Sequence, residues 1–406
     1  MSVKGTRWLI TLNLGLLPLL MVLGNSMLIP ILPNIQTEMG LNTIEGGMIL
    51  TVFAIPAALI IPFVGILADR IGRRIIVLVS LIFIIIGCLL SAIASTYVPG
   101  QTGFSILLFG RLLQGLGAGG TAPLAMILAG DLFEGIERSS TLGILEVFNG
   151  IGKVISPIIG ALAAIWFWES SFYFYAVVSF VSFVGIVLFI KDKEGTKSSI
   201  SFSLYMKKVS SVMLEKYKWI IPIFISSGVG LFLLFGMLFF LSFELEVMHQ
   251  ISGVTKSLLL ALPLAFLTLF SYIAGKNIGT NVNQIKRYMI IGLLLVFVSF
   301  CLLLFFHGLG SLLIYSTMLA TGLGLFLPAS STAITSSVSK EERGTVVSLY
   351  SMVRFLGVAF GPITFSMWMA NVQEMFYLSI LSIGVPIVIL MMSWTCIPIM
   401  KYCPQK

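Results

Sequence analysis

Charge is what this sequence has least of. Only 10% of its 406 residues are Asp, Glu, Lys or Arg, against roughly 25% in water-soluble domains, while 58% are hydrophobic. A water-soluble core is thereby excluded. Acid is scarcer than base, with 16 Asp and Glu against 24 Lys and Arg, and there are only two histidines, His249 and His307. Both sit at the ends of apolar runs and read as interface residues rather than ligands. The four cysteines, Cys88, Cys301, Cys396 and Cys403, show no metal or redox spacing, so neither a metal nor a cofactor is expected. A Gly-x4-Gly-Lys-Ser/Thr phosphate loop is missing, which argues against a self-contained ATP-driven pump. No Ala-x-Ala cleavage site follows the first apolar stretch, which is therefore expected to stay as a helix.

What is abundant is apolar sequence in membrane-length pieces. Runs of about 20 apolar residues recur twelve times, which predicts an all-α integral membrane protein with both termini on one side. The first run covers roughly 8–33, the fifth 139–166, the seventh 219–247 and the twelfth 376–400. Between the sixth and seventh lies a polar stretch, Lys191 to Lys218, with seven lysines. It divides the chain into residues 1–190, a cytoplasmic basic linker at 191–218, and residues 219–406. If the loop from Gly65 to Arg74 is cytoplasmic, 20 of the 24 cations fall at cytoplasmic loops or termini. Three lie inside spans (Arg111, Lys153, Arg354) and one outside (Lys256). This is the positive-inside distribution, so the net charge of +8 reports topology and implies no nucleic-acid partner.

The loop itself reads Gly65-Ile-Leu-Ala-Asp69-Arg70-Ile-Gly72-Arg73-Arg74. Gly65 lets another helix approach, Asp69 can sit at a neighbouring helix N-terminus, Gly72 permits a turn, and the arginines are excluded from hydrocarbon. Its pattern, Gly-x-x-x-Asp-Arg-x-Gly-Arg-Arg, resembles the signature between helices two and three of the major facilitator superfamily. A second resemblance lies in span four, where Arg111-Leu-Leu-Gln-Gly-Leu-Gly117 matches Arg-x-x-Gln-Gly-x-Gly. In span five Gly143, Gly152, Ser156, Pro157 and Gly160 match the pattern that marks the family's antiporters, with Ser156 and Ala161 replacing two glycines. Both substitutes are small, so close helix packing is expected to survive. Sliding the chain by 205 residues aligns Gly117, Gly119 and Pro123 with Gly322, Gly324 and Pro328. Glu137 and Arg138 then align with Glu342 and Arg343, and Gly152 and Pro157 with Gly357 and Pro362. Such a repeat, with the resemblance, implies two pseudo-symmetric six-helix bundles with substrate between them near the membrane midplane.

The resemblance implies a monomeric secondary transporter of the plasma membrane that carries a small molecule, coupled to protons, by alternating access, with both termini cytoplasmic. It looks most like the twelve-helix drug and proton antiporter branch. Many such exporters carry Asp where Asn25 stands, so the usual first-span proton carrier is missing here. An arginine inside a span costs about 3 kcal/mol and needs a partner, for which Asn25 is the candidate. Arg111 reads either as a brace between spans one and four or as part of proton or substrate handling. Glu146 is the one carboxylate placed well inside a span and so the candidate titrating group; the alternative is a structural ion pair. It shares a helix face with Asn149 and Lys153, although Glu146 and Lys153 are two turns, about 10 Å, apart. Asn25, Asn149, Lys153 and Arg354 are the cavity candidates. In the family, a cluster such as Asp69, Arg70, Arg73 and Asp131 closes the cytoplasmic gate; a solvated surface network is the bland alternative. Amphipathic drugs are the first substrate class to consider. The excess of intramembrane cations turns attention to neutral or anionic cargo, an exported metabolite such as a siderophore included. An uptake symporter or facilitator, a channel and a lipid flippase are the competing readings.

Overall fold

The computed structural model describes residues 3–98, 100–190, 202–278, 282–306 and 308–393. His307, Cys396, Cys403 and the first part of the basic stretch, 191–201, lie outside these residues. Twelve helices among the described residues are long and apolar enough to cross a membrane.

The first span is two helices. α1 (Val3–Ser26) gives way to a 3₁₀ turn at Ile29–Ile31 and then to α2 (Leu32–Met39). Pro30 has no N–H to return to the Ser26 carbonyl, and the Leu28 amide turns back to Asn25 instead of Gly24, so the α-ladder stops there. The second to sixth spans are α3 (Thr43–Ile71), α4 (Arg73–Tyr97), α5 (Gly100–Leu132), α6 (Gly135–Ala163) and α7 (Ser170–Phe189). The seventh is α8 (Phe202–Phe243), closed by a π-helical turn at Glu244–Met248. α9 (Gly253–Ile278), α10 (Val282–Leu303), α11 (Leu309–Ser337), α12 (Lys340–Trp368) and α13 (Val372–Met392) complete the set.

Two compact units result, Met1–Ile200 with Ser252–Leu258, and Ser201–Ile251 with Leu259–Lys406. The second part of the polar stretch is helical, because α8 already runs from Phe202. Its apolar side chains recur at helical spacing: Val212 is buried while Leu214 is exposed, and Lys216 reaches Glu342 of α12. Lys256 is fully buried in the first turn of α9.

In the first unit, α5 is the spine, because its glycines admit backbone on two sides. A Cβ at Gly115 would stand 2.1 Å from the Phe53 carbonyl oxygen of α3, and one at Gly117 would stand 2.3 Å from that of Ser80 in α4. In the second unit the aligned Gly322 of α11 meets the Gly292 carbonyl of α10 in the same way, at 2.5 Å. Charged ends repeat too. Glu137 of α6 pairs with Arg7 of α1, and its aligned partner Glu342 of α12 pairs with Lys216 of α8.

At the end of the first unit away from the Gly65–Arg74 turn, Trp168 Nε1 donates to Glu38 Oε2 at 3.0 Å. The adjoining Glu169 is only 9% exposed, and burial, with the Glu38 charge added, raises its carboxyl above the usual range. The native state therefore holds this proton more tightly than the unfolded chain does. Stability from this group is intact below the unfolded value of about 4.3 and declines as pH rises through the raised native value. Glu169→Gln should accordingly raise the melting temperature in detergent above that window and leave it unchanged near pH 4. A wild-type to variant difference that does not vary with pH would contradict this.

Candidate coupling and substrate site

Arg111, like Lys256, has no exposed surface. Its Nε donates to the Ile49 carbonyl at 3.0 Å, and Nη1 donates to the Gly24 carbonyl at 2.8 Å and to Gln114 Oε1 at 2.6 Å. Nη2 donates to Asn25 Oδ1 at 3.3 Å, and the guanidinium lies 4.3 Å from the centre of the Phe53 ring. The Gly24 carbonyl is the one that the break in span one leaves free, so Arg111 caps α1 while joining it to α3 and α5. No carboxylate among the described residues takes part. The expected Asn25 partnership is present, yet Asn25 is buried, at 4% exposure, and its Nδ2 has no partner among the described residues. The polar patch at Gly24 to Ser26 is thus spent on packing: a Cβ at Gly24 would stand 2.5 Å from Phe53 and 2.8 Å from the Tyr175 hydroxyl.

At the Gly65–Arg74 turn two aspartates meet one arginine. Arg73, at the start of α4, pairs with Asp69 at the end of α3 (3.1 Å) and with Asp131 at the end of α5. Arg70 is exposed beside them, and Arg74 Nη2 donates to the Val187 carbonyl of α7 at 2.8 Å. Gly72 has φ +121°, a backbone conformation that side chains resist, so glycine is required there. Gly65 is a correction: no atom lies within 4 Å of where its Cβ would stand, so no close helix approach explains it here.

The span-five pattern divides in the same way. α6 lies on α1, and Cβ atoms at Gly152 and Gly160 would stand 2.9 Å from Leu19 Cδ1 and 2.0 Å from the Met27 carbonyl oxygen. Ser156 is fully buried with its hydroxyl bonded back to the Gly152 carbonyl, Pro157 is buried, and Ala161 is 4% exposed. Gly143, by contrast, is exposed with nothing within 4 Å. Glu146 is exposed as well, whereas Asn149 and Lys153 are half-buried. The structure thus does not bring Glu146 to the Arg111 cluster, which is closed off inside the unit.

In the second unit Arg354 stands mid-way along α12, with its guanidinium carbon 5.4 Å from the centre of the Tyr350 ring. The Tyr350 hydroxyl lies 2.7 Å from Ser330 Oγ of α11 and accepts from Ser227 Oγ of α8 at 3.1 Å. Phe224 packs on the ring with centroids 5.6 Å apart. Sequence reasoning missed Tyr350, because the 205-residue repeat sets it against Leu145 and offers no polar counterpart. It also missed Gln114, whose Nε2 donates to Ser91 Oγ at 3.0 Å and whose oxygen takes an Arg111 bond. Here the Arg-x-x-Gln spacing was the available signal, since it puts both side chains on one helix face. Among the described residues no three His, Cys, Asp or Glu side chains converge as metal ligands.

Comparisons with known proteins agree with this architecture. The Major Facilitator Superfamily profile matches residues 14–362 and again 245–399. The bacillibactin exporter of Bacillus subtilis is 38% identical over 367 residues, covering 90% of this chain and 91% of the relative. The quinolone resistance protein NorA of Staphylococcus aureus is 25% identical over 349 residues, 85% of this chain and 86% of its own. Among solved structures, a bacterial homologue of the human lysosomal transporter Spinster superposes over the whole of both chains with a TM-score of 0.78 at 15% identity. The D-xylose–proton symporter covers 98% of this chain and 99% of its own with a TM-score of 0.76 at 14% identity. At such identities the structures speak for the fold alone.

Proposed function

Because the chain belongs to the major facilitator superfamily, and is thus a multi-pass membrane transporter rather than an enzyme, we propose that it exports an amphipathic small molecule from the cell in exchange for protons. The single observation that carries the direction is the α6 stripe, whose Gly152 packs on Leu19 of α1 and Gly160 on Met27 just beyond it, with Ser156 and Pro157 buried between them. Two exporters among the relatives, at 38% and 25% identity, support the same direction. Of the two cargo classes their names suggest, the stronger identity favours a siderophore-type metabolite over a quinolone-type drug. We place the protein in the plasma membrane as a monomer with both termini cytoplasmic, and take 1–190 and 219–406 as its two transport halves.

Glu146 is the residue we assign to proton coupling. It lies eleven residues into α6, about 16 Å from the helix start, where a carboxylate is costly to place without a function, and it stands apart from the sealed Arg111 cluster. Proton binding and cargo binding would then favour different states of one carrier. The test is uptake of bacillibactin and of norfloxacin into proteoliposomes with an acidic lumen, wild type against Glu146→Gln. Gradient-driven uptake should fall at least tenfold in the variant while gradient-free exchange of cargo persists. Full gradient-driven uptake by Glu146→Gln would remove the assignment, and cargo movement only into an alkaline lumen would make the protein a symporter.

A further inference from the structure

The second unit holds a cation for which no hydrogen-bond acceptor stands among the described residues. Among the described residues the interaction Arg354 makes is with the Tyr350 ring, and its Nε is buried with no acceptor. Arg111 shows what this chain does with an arginine it needs for packing: every donor nitrogen is matched to an oxygen. Arg354 is treated differently. Tyr350, four residues earlier and on the same helix face, is held by serines of two other helices, so the ring beneath the guanidinium is a fixed platform. One turn beyond, a Cβ at Gly357 would stand 2.1 Å from the Gly228 carbonyl oxygen, so α12 packs closely on α8 beside Arg354.

Depth narrows the choice of partner. Arg354 is fourteen residues into α12, about 21 Å along a helix of 29 residues, which places it near the middle of the span. A lipid phosphate lies half a bilayer away. An unspent guanidinium there costs the protein stability, and it presents a planar fork that matches two adjacent oxygens bearing negative charge.

We propose that Arg354, fixed over Tyr350, is a recognition site in the second unit for a bidentate organic oxyanion, a carboxylate, carried by the transported molecule. The export reading enters only in making that oxyanion part of the cargo.

Binding of 2,3-dihydroxybenzoate and of its neutral amide, 2,3-dihydroxybenzamide, to the full-length protein in detergent tests this by equilibrium dialysis. Wild type should prefer the benzoate by about tenfold or more. Arg354→Gln should bring the two probes to within about twofold, with amide binding unchanged, and Arg354→Lys should retain part of the preference because it keeps the charge and loses the fork. No preference in wild type, an undiminished preference in Arg354→Gln, or none in Arg354→Lys would each overturn the proposal. Gradient-driven uptake by the same wild-type preparation separates the two readings. A preference without export defeats the export reading alone, and export without a preference defeats this one alone.

Discussion

Arg111→Met is expected to lower stability in detergent by roughly 3–5 kcal/mol and to abolish export. Methionine is apolar and of similar length, so the substitution relieves the cost of a buried charge, and on that ground alone it would stabilise. The acceptors decide the sign. Gly24, Ile49, Gln114 and Asn25 all lose their donor at once, inside a region with no exposed surface from which water could replace it. The Gly24 carbonyl matters most, because it is the free end of α1 at the break in span one, and without a cap the turn at Ile29–Ile31 has less reason to hold its shape. Arg111→Lys should recover only part of the loss, since one ammonium cannot reach α1, α3 and the Gln114 side chain together. Thermal unfolding followed alongside proteoliposome export checks this. A methionine variant that melts like wild type but does not export would show that the arginine acts on cargo or protons instead of bracing the bundle.

How much of this was legible in the sequence varies with the kind of interaction. Helix number and order follow from apolar run length alone, since a membrane leaves backbone groups no partner but the helix's own. The Asp69, Arg73 and Asp131 cluster was legible because all three sit at helix ends on one side, where only neighbouring ends are within reach. Arg111 with Asn25 was found by matching depth, but its backbone acceptors were not, because a carbonyl freed by a helix break has no signature beyond the proline six residues on. Packing reasons for Gly65 and Gly143 failed where those for Gly152 and Gly160 held. A glycine in a motif states that a side chain is disfavoured and does not say whether a neighbour, a turn or another conformation disfavours it. Tyr350 escaped because its role rests on two serines from helices distant in the chain.

That last ambiguity of the glycines yields the second large effect. Gly160→Ala should cost about 3 kcal/mol and most of the export activity, whereas Gly143→Ala should be neutral or slightly stabilising in the same melting assay. The added methyl at residue 160 would stand 2.0 Å from the Met27 carbonyl oxygen and 2.9 Å from its carbon, and these are backbone atoms that cannot rotate aside. Either α6 must move off α1 or the turn after Ser26 must shift, and that turn directly follows the end of α1 whose Gly24 carbonyl Arg111 caps. The methyl at residue 143 meets nothing, so there the usual helix preference for alanine over glycine decides. Export by Gly143→Ala is the informative measurement. Full activity would mean that the span-five pattern works through the contact of α6 with α1, and that its first glycine is dispensable. Normal stability with export lost would mean that Gly143 is approached only in another state of the transport cycle, and the pattern would then report a moving contact as well as a fixed one.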